Sequence, residues 1–395
     1  MIETTGRRLP TGVYLLAFCL FAMGSAEFLM AGVLPSVATD LGVSLSSAGA
    51  LITAFALGVV LGGPPFAVLS LHWPRRTALM VTQLTFAAAI AFGLLADDYW
   101  VLLITRFVAG IAYAGFFAVA SVTAIGLVTP DRTARASGVV VAGLSVAMVA
   151  GGPAGTLLST YLGWTGGFWG VVALTIAGTL ACALGMPATA SDVEPSLARE
   201  LRTMRTPRLW GVYAVTILST AAYMVSFNYL AAILADVTRL PEVWIPAVLA
   251  LFGVGAFAGL SVGGRISDRL PHHALLGGVL GIAGLSVLLA AFAEHRWVVV
   301  PLVFLLGIAA FVLNPALYGR VFTIAADAPT LAGATTVSAF QLGISLTPAF
   351  AAGALGFGAP VAAVSWIGAA LALLAIPLIL RDRASKKVFS GGQTR

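Results

Sequence analysis

The amino-acid sequence predicts an all-α polytopic membrane protein: twelve transmembrane helices in two pseudo-symmetric six-helix bundles, with both termini cytoplasmic. Three observations carry this expectation. Hydrophobic residues make up 60% of the 395 positions and charged residues only 9%, whereas a soluble domain carries roughly 25% charged residues. Twelve apolar runs are long enough to cross a bilayer. Basic residues fall almost wholly on one side of those runs. So few charges cannot cover a water-soluble protein of this size, and the mean hydropathy of +1.02 agrees. A lipid-facing surface removes the conflict, because hydrocarbon needs no polar cover.

A spanning helix needs about 20 apolar residues. The polar stretch 1–10, with Arg7 and Arg8, precedes an apolar run longer than a signal-peptide core, read as a retained first span at 12–35. The remaining runs of the first bundle are 46–71, 77–96, 100–128, 134–160 and 163–186. Those of the second are 208–235, 244–268, 274–293, 297–325, 331–356 and 359–380. The connections between runs 5 and 6 and between runs 11 and 12 carry almost no charge, as in Tyr161-Leu162-Gly163-Trp164. The longest inter-span stretch holds Asp192, Glu194, Arg199, Glu200, Arg202 and Arg205. The expected organisation is a bundle over 1–186, a cytoplasmic linker over 187–207, a second bundle over 208–380 and a tail over 381–395.

Orientation follows from the 21 basic residues. Eighteen lie in segments on the side of the termini, two (Arg239 and Arg296) lie opposite, and one, Arg106, lies within a run. Positive charge is retained on the cytoplasmic face. The same distribution explains the net charge of +6 without a nucleic-acid partner. Cys19 and Cys182 sit in separate apolar runs and suggest packing, with no metal-ligand spacing. His72, His272, His273 and His295 fall in loops. No phosphate-binding loop of the Gly-x4-Gly-Lys type is present, which argues against drive by ATP. Neither a cofactor nor a metal is expected.

The halves repeat. Ser25-Ala26-Glu27-Phe28-Leu29 aligns with Ser226-Phe227-Asn228-Tyr229-Leu230, and Gly58, Gly62 and Pro74 align with Gly255, Gly259 and Pro271 at an offset of 197. Gly152-Pro153 aligns with Thr347-Pro348. Gly263-Gly264-Arg265-Ile266-Ser267-Asp268-Arg269 resembles the loop signature that the major facilitator superfamily carries between spans 2 and 3 of each half. The first half keeps Arg75 and Arg76 but has Leu71 where the Asp would stand, which puts a charge latch there in doubt. Arg106-Phe107-Val108-Ala109-Gly110 is similar to the superfamily's Arg-x-x-x-Gly motif. Ala150-Gly151-Gly152-Pro153-Ala154-Gly155 resembles its antiporter motif, although glycine-mediated helix packing alone would also account for it. Gly24 to Met30, followed by Gly32-Val33-Leu34-Pro35, resembles the drug:proton antiporter group. Trp73 to Arg76, Gly259 to Arg265 and Ala328 to Gly333 look closer to actinobacterial chloramphenicol exporters, with sugar efflux transporters related. The resemblance covers essentially the whole chain. It implies a transporter rather than an enzyme, usually monomeric, with a small-molecule substrate and protons as partners in the lipid bilayer of a bacterial plasma membrane.

Two charges stand deep in the apolar runs, Glu27 and Arg106. Each costs about 2.5–3.5 kcal/mol on insertion scales. Their axial separation is roughly 7–8 Å at 1.5 Å per residue, within reach of a direct or water-bridged pair. Two readings are open. One is a static salt bridge between spans 1 and 4. The other is a proton site, in which burial favours the neutral acid and the guanidinium favours the carboxylate.

The resemblance implies that spans 1, 4, 7 and 10 line a central cavity. Helical spacing then offers Met23, Glu27 and Met30 on span 1; Arg106, Tyr113 and Phe117 on span 4; Met224 and Asn228 on span 7; and Phe311, Asn314 and Tyr318 on span 10. Gln341 on span 11 is a further polar candidate. Methionine and flat rings suit an amphipathic compound, although such residues also pack in cores, and the amides also bond helices together. Arg75, Arg76, Gly152, Pro153, Gly155, Arg265, Asp268 and Arg269 are the expected gating residues. The leading expectation is proton-coupled efflux of small amphipathic compounds by alternating access. The alternative is export of a sugar, nucleoside or other metabolite, which calls for a more polar cavity.

Overall fold

A computed structural model of the protein describes residues 9–69, 73–129, 132–186, 202–325 and 329–390. Residues 187–201 of the expected linker, together with Arg7, Arg8, Leu71 and His72, lie outside the described residues, and so does the side chain of Asp268. Among the described residues, twelve helices are long and apolar enough to cross a membrane. Spans 1 to 6 are Thr11–Asp40, Leu45–Gly63, Arg75–Leu95, Tyr99–Gly126, Gly138–Leu162 and Trp164–Gly185. Spans 7 to 12 are Pro207–Val237, Glu242–Ser267, Pro271–Ala291, Arg296–Ile324, Leu331–Gly356 and Val361–Asp382. The end where span 1 begins is called proximal below, and the other end distal.

All twelve expected runs match a span, and the disagreements have local causes. Span 1 continues past Pro35 to Asp40. A proline removes one helical hydrogen bond, and membrane helices tolerate this where neighbours satisfy the freed groups. Beyond Pro35, the Asp40 carboxylate accepts from Trp164 Nε1 at 2.6 Å, which ties the extension to span 6. The two uncharged connections are possible because each turns on a glycine in the left-handed region. Gly163 has φ 74° and Gly358 φ 77°, conformations a side chain would strain.

Among the described residues three spans are interrupted, two of them just before a proline. Span 5 is α-helical to Val146, a π-turn over Ala147–Gly151, then α-helical again from Gly152. Pro153 cannot donate to the turn before it, and the widened turn absorbs the missing bond. Span 10 breaks at Leu313, two residues before Pro315. Span 7 breaks at Tyr229, immediately after Asn228.

The repeat read from the sequence reappears as repeated contacts. A Cβ on Gly58 would meet the Phe107 carbonyl oxygen at 2.2 Å, and one on Gly255 would meet the Phe304 carbonyl oxygen at 2.2 Å. Gly62 approaches Ile111 as Gly259 approaches Ile308. Every member of one set lies 197 positions from its counterpart. Spans 2 and 4 therefore touch backbone to backbone as spans 8 and 10 do, and only glycine permits that distance.

Within each half the helices pack on one another, and spans 1, 4 and 7 are the most buried of the twelve, span 7 most of all. Large apolar side chains such as Leu184 and Phe357 remain on the outer surface. Exposed aromatics gather near both ends: Trp100, Tyr161, Trp244 and Trp297 distally, Trp73 and Trp210 proximally. That is the belt arrangement of chains seated between two headgroup layers.

One proximal feature was not anticipated. Arg320, inside the tenth expected run and counted among the basic residues on the side of the termini, is buried in span 10 and forms an ion pair with Asp382 at the end of span 12, while Arg208 of span 7 approaches the same carboxylate at 3.7 Å. Asp382→Ala strands the buried Arg320 guanidinium. The expected loss of stability is about 3 kcal/mol, the low end for breaking a buried pair because Asp382 keeps some exposure. Thermal unfolding in detergent checks this, and an unchanged midpoint would refute it.

Candidate functional site

The site begins with span 1. From Ala22 to Leu34 every residue is buried except Glu27, which is half-buried. Small residues precede it, and a Cβ on Gly152 of span 5 would come within 2.7 Å of the Phe28 Cβ. Span 5 thus covers one side of span 1, and Glu27 is left facing the second half. Its Oε1 accepts a hydrogen bond from Gln341 Nε2 of span 11 at 3.1 Å. Arg106, Tyr113 and Tyr223 all lie within electrostatic range of Glu27. A carboxyl so placed can hold or lose a proton at the boundary between the halves.

Arg106 does not form an ion pair with Glu27. The direct pairing allowed by the axial spacing is therefore not the arrangement seen. The guanidinium stacks instead over the rings of Phe55 at 4.7 Å and Phe168 at 5.8 Å, and its Nε points at the Leu51 carbonyl oxygen at 3.5 Å. Its Nη1 is buried without a hydrogen-bond partner. Axial rise alone placed the two charges roughly 7–8 Å apart in depth, within reach of a pair; it could not see that rings from spans 2 and 6 hold the arginine inside the first half.

The expected lining residues divide. Tyr113 is buried, its ring 5.6 Å from Phe55, with its hydroxyl beside Gly24 of span 1. Phe117, Phe311 and Tyr318 are each partly exposed. Phe311 lies 5.7 Å from Tyr223, and Tyr318 stacks on Phe340 at 5.6 Å. Met23 and Met224 are buried, and Met30 borders a small void beside Arg106, Trp164 and Phe168 within the first half. Asn228 is buried and donates to Thr347 Oγ1 at 2.8 Å, so its amide joins spans 7 and 11 rather than standing free. Asn314 is buried beside the break in span 10, its Oδ1 without a partner.

Sequence reasoning named Phe311 but missed the aromatic cluster to which it belongs. Tyr223 and Phe227 of span 7, Phe252 of span 8 and Phe311 of span 10 form a continuous set, with Phe227 and Phe252 centroids 4.4 Å apart. Phe28, the neighbour of Glu27, joins it across the halves at 6.4 Å. Tyr223 lies five residues before Asn228, off the stripe that Asn228 defined. The available signal was Phe28 itself, next to the acid.

The motif residues hold helix ends and helix contacts. Arg75 Nη1 points at the Val122 carbonyl oxygen at 3.4 Å, and Arg76 Nη2 donates to the Ala183 carbonyl oxygen. Both cations therefore sit at the proximal, C-terminal ends of spans 4 and 6, where the helix dipole favours them. Gly152 and Gly155 pack against Phe28 and Leu29 of span 1, with Pro153 buried between. Arg265 and Arg269 are exposed.

Two hydrogen bonds join the halves among the described residues: Gln341 to Glu27, and Thr53 Oγ1 of span 2 to the Ser345 carbonyl oxygen of span 11 at 2.9 Å. A glycine brings the backbones of the two halves together as well: a Cβ on Gly253 of span 8 would come within 2.7 Å of the Val149 Cα of span 5, near mid-span. These junctions run from the middle of the spans toward the distal end.

Comparisons with known proteins agree with this architecture. A family model described as the Major Facilitator Superfamily matches residues 16–348. The chain is 41% identical over 357 residues to a chloramphenicol resistance protein of Streptomyces lividans, covering 88% of this chain and 90% of the relative. It is 29% identical over 346 residues to a chloramphenicol efflux pump of Mycobacterium tuberculosis, covering 85% and 84%. A probable sugar efflux transporter of Helicobacter acinonychis is 27% identical over 369 residues, covering 92% and 93%.

Proposed function

The chain belongs to the major facilitator superfamily, a family of small-molecule transporters, and we propose that it works as a proton-coupled exporter of small amphipathic compounds, chloramphenicol-like antibiotics among them. The observation that carries this reading is the placement of Glu27. Among the described residues it is the one acidic side chain deep in a span, it is half-buried where its neighbours are buried, and it touches the opposite half through Gln341. A proton taken up there changes the charge at the boundary on which alternating access depends. The neighbouring rings of Phe28, Tyr223, Phe252 and Phe311 suit a flat apolar solute, and the phenols and Gln341 offer polar contacts. The relatives described as chloramphenicol resistance and efflux proteins support this choice of substrate.

In this reading the protein is a monomer in a bacterial plasma membrane, its proximal end cytoplasmic as the basic residues suggest. The inter-half junctions described above then run from the middle of the membrane toward its outer face. Expression in an efflux-deficient bacterial host tests the proposal with a panel of phenicols, other amphipathic drugs and sugars. Protection against chloramphenicol that a protonophore removes is the expected result. Protection against none of the drugs, with measurable efflux of a sugar or nucleoside, moves the assignment to a metabolite exporter.

A further inference from the structure

Span 11 turns one face toward the first half. Gln341, Ser345 and Pro348 recur at the i, i+4, i+7 spacing of a single helical stripe. Each meets a residue of spans 1 or 2: Gln341 meets Glu27, Ser345 meets Thr53, and Pro348 lies 3.1 Å from where a Cβ on Gly49 would stand. Tyr229 of span 7 closes on Gly49 as well. The stripe covers about 10 Å along the helix at 1.5 Å per residue. Spans 2 and 11 form the most extensive contact between the halves. Gln341 is its innermost member and the only one whose partner can change charge.

We propose that Gln341 is a proton-sensing latch: its amide ties span 11 to span 1 while Glu27 is ionised, keeping the distal end closed, and protonation of Glu27 loosens the tie so that the end opens. This deepens the proton-coupled reading above and rests on it. A carboxylate accepts from an amide N–H with the added strength of a charge, whereas a neutral acid gives only an ordinary bond. The Gln341 Oε1 is buried and has no partner, so the residue's one side-chain bond is the bond to Glu27. The other groups around Glu27 do not supply the switch. Arg106 and the phenols of Tyr113 and Tyr223 face it from spans 4 and 7. Arginine stays charged and phenols ordinarily stay neutral between about pH 5.5 and about pH 8. Span 5 packs glycines against span 1 and brings no titratable side chain to this point.

Spin labels at Tyr161→Cys and Glu294→Cys report the distal opening, since both positions are exposed at that end of opposite halves. Cys19 and Cys182 are replaced by Ala, and the full chain is studied in lipid nanodiscs by pulsed electron spin resonance. With Gln341 intact, the short-distance population dominates at about pH 8 and a longer one grows at about pH 5.5. Gln341→Met keeps length and apolar tolerance but removes the donor. It is expected to lower the closed-to-open ratio at the higher pH on the order of tenfold and to flatten the pH response. Gln341→Asn, one methylene short of Glu27, serves as the second variant and is expected to do the same.

Distances that superimpose on the parent at both pH values, or a parent that ignores pH, overturn the latch. So does a variant that loses thermal stability while keeping the full pH response, which is the behaviour of a residue that merely packs. The companion measurement is proton-driven export by Glu27→Gln. Export at the parent rate refutes the proton reading itself. Loss of export, together with unchanged distances in the Gln341 variants, refutes the latch alone.

Discussion

Glu27→Gln is expected to abolish concentrative export while leaving the protein folded and able to exchange solute down a gradient. The size of the effect follows from the driving force. One elementary charge moved across 100 mV is worth about 2.3 kcal/mol. A proton-motive force of about 150 mV, at one proton per neutral solute, therefore sustains a gradient of roughly 300-fold. Without a group that exchanges the proton, that ratio falls to one. Folding is spared because glutamine matches glutamate in shape and its carbonyl oxygen still accepts from Gln341 Nε2, at the position Oε1 occupies now. Reconstituted vesicles separate the two properties. Counterflow of labelled chloramphenicol should persist in the variant, and accumulation driven by an imposed proton gradient should vanish. Accumulation at the parent level would show that the coupling proton travels elsewhere.

The span pattern was legible because it is set by composition over some twenty residues at a time, and lipid enforces it on every helix. Interruptions inside spans were less legible. Pro153 and Pro315 announce a disturbed turn, but whether the helix widens, breaks or simply continues, as at Pro35, depends on neighbours that lie distant in sequence. The site divides in the same way. Glu27 and Arg106 stood out because charge is rare in hydrocarbon, and that rarity is a one-residue observation. Their relation was not legible, since Phe55, Phe168 and Leu51 take up the arginine from spans 2 and 6. Asn228 illustrates the limit of the repeat. It occupies the aligned position of Glu27, yet the break at Tyr229 ends its helix there and its amide bonds Thr347. Gln341 was found as a polar residue in an apolar run; only the fold shows that it meets Glu27.

Arg106 carries the second large effect, and its variants separate the two readings that the sequence left open. A brace between spans 1 and 4 requires contact with Glu27, and the guanidinium spends its contacts on two rings and a carbonyl instead. A flat cation between rings keeps a fixed positive charge within range of Glu27 without neutralising it by contact. Arg106→Leu removes that charge. The Glu27 carboxylate then loses the cation that interacts with it in a medium that opposes bare charge, and proton-driven accumulation is expected to slow about a hundredfold per folded molecule, equivalent to about 2.7 kcal/mol. Arg106→Lys keeps the charge but not the plane. An ammonium is a compact, strongly hydrated point charge with no face to stack, so proton-driven accumulation is expected to slow about tenfold, equivalent to about 1.4 kcal/mol. Structural bracing predicts the opposite ranking of observables: lower thermal stability in both variants, with proton-driven accumulation per folded molecule preserved. The initial rate of accumulation under an imposed proton gradient, normalised to monodisperse protein and measured beside the unfolding midpoint, decides between them. The double variant Glu27→Gln with Arg106→Leu completes the cycle. If the two residues act on one another, its stability exceeds that of Arg106→Leu alone, because neither charge is then left without the other.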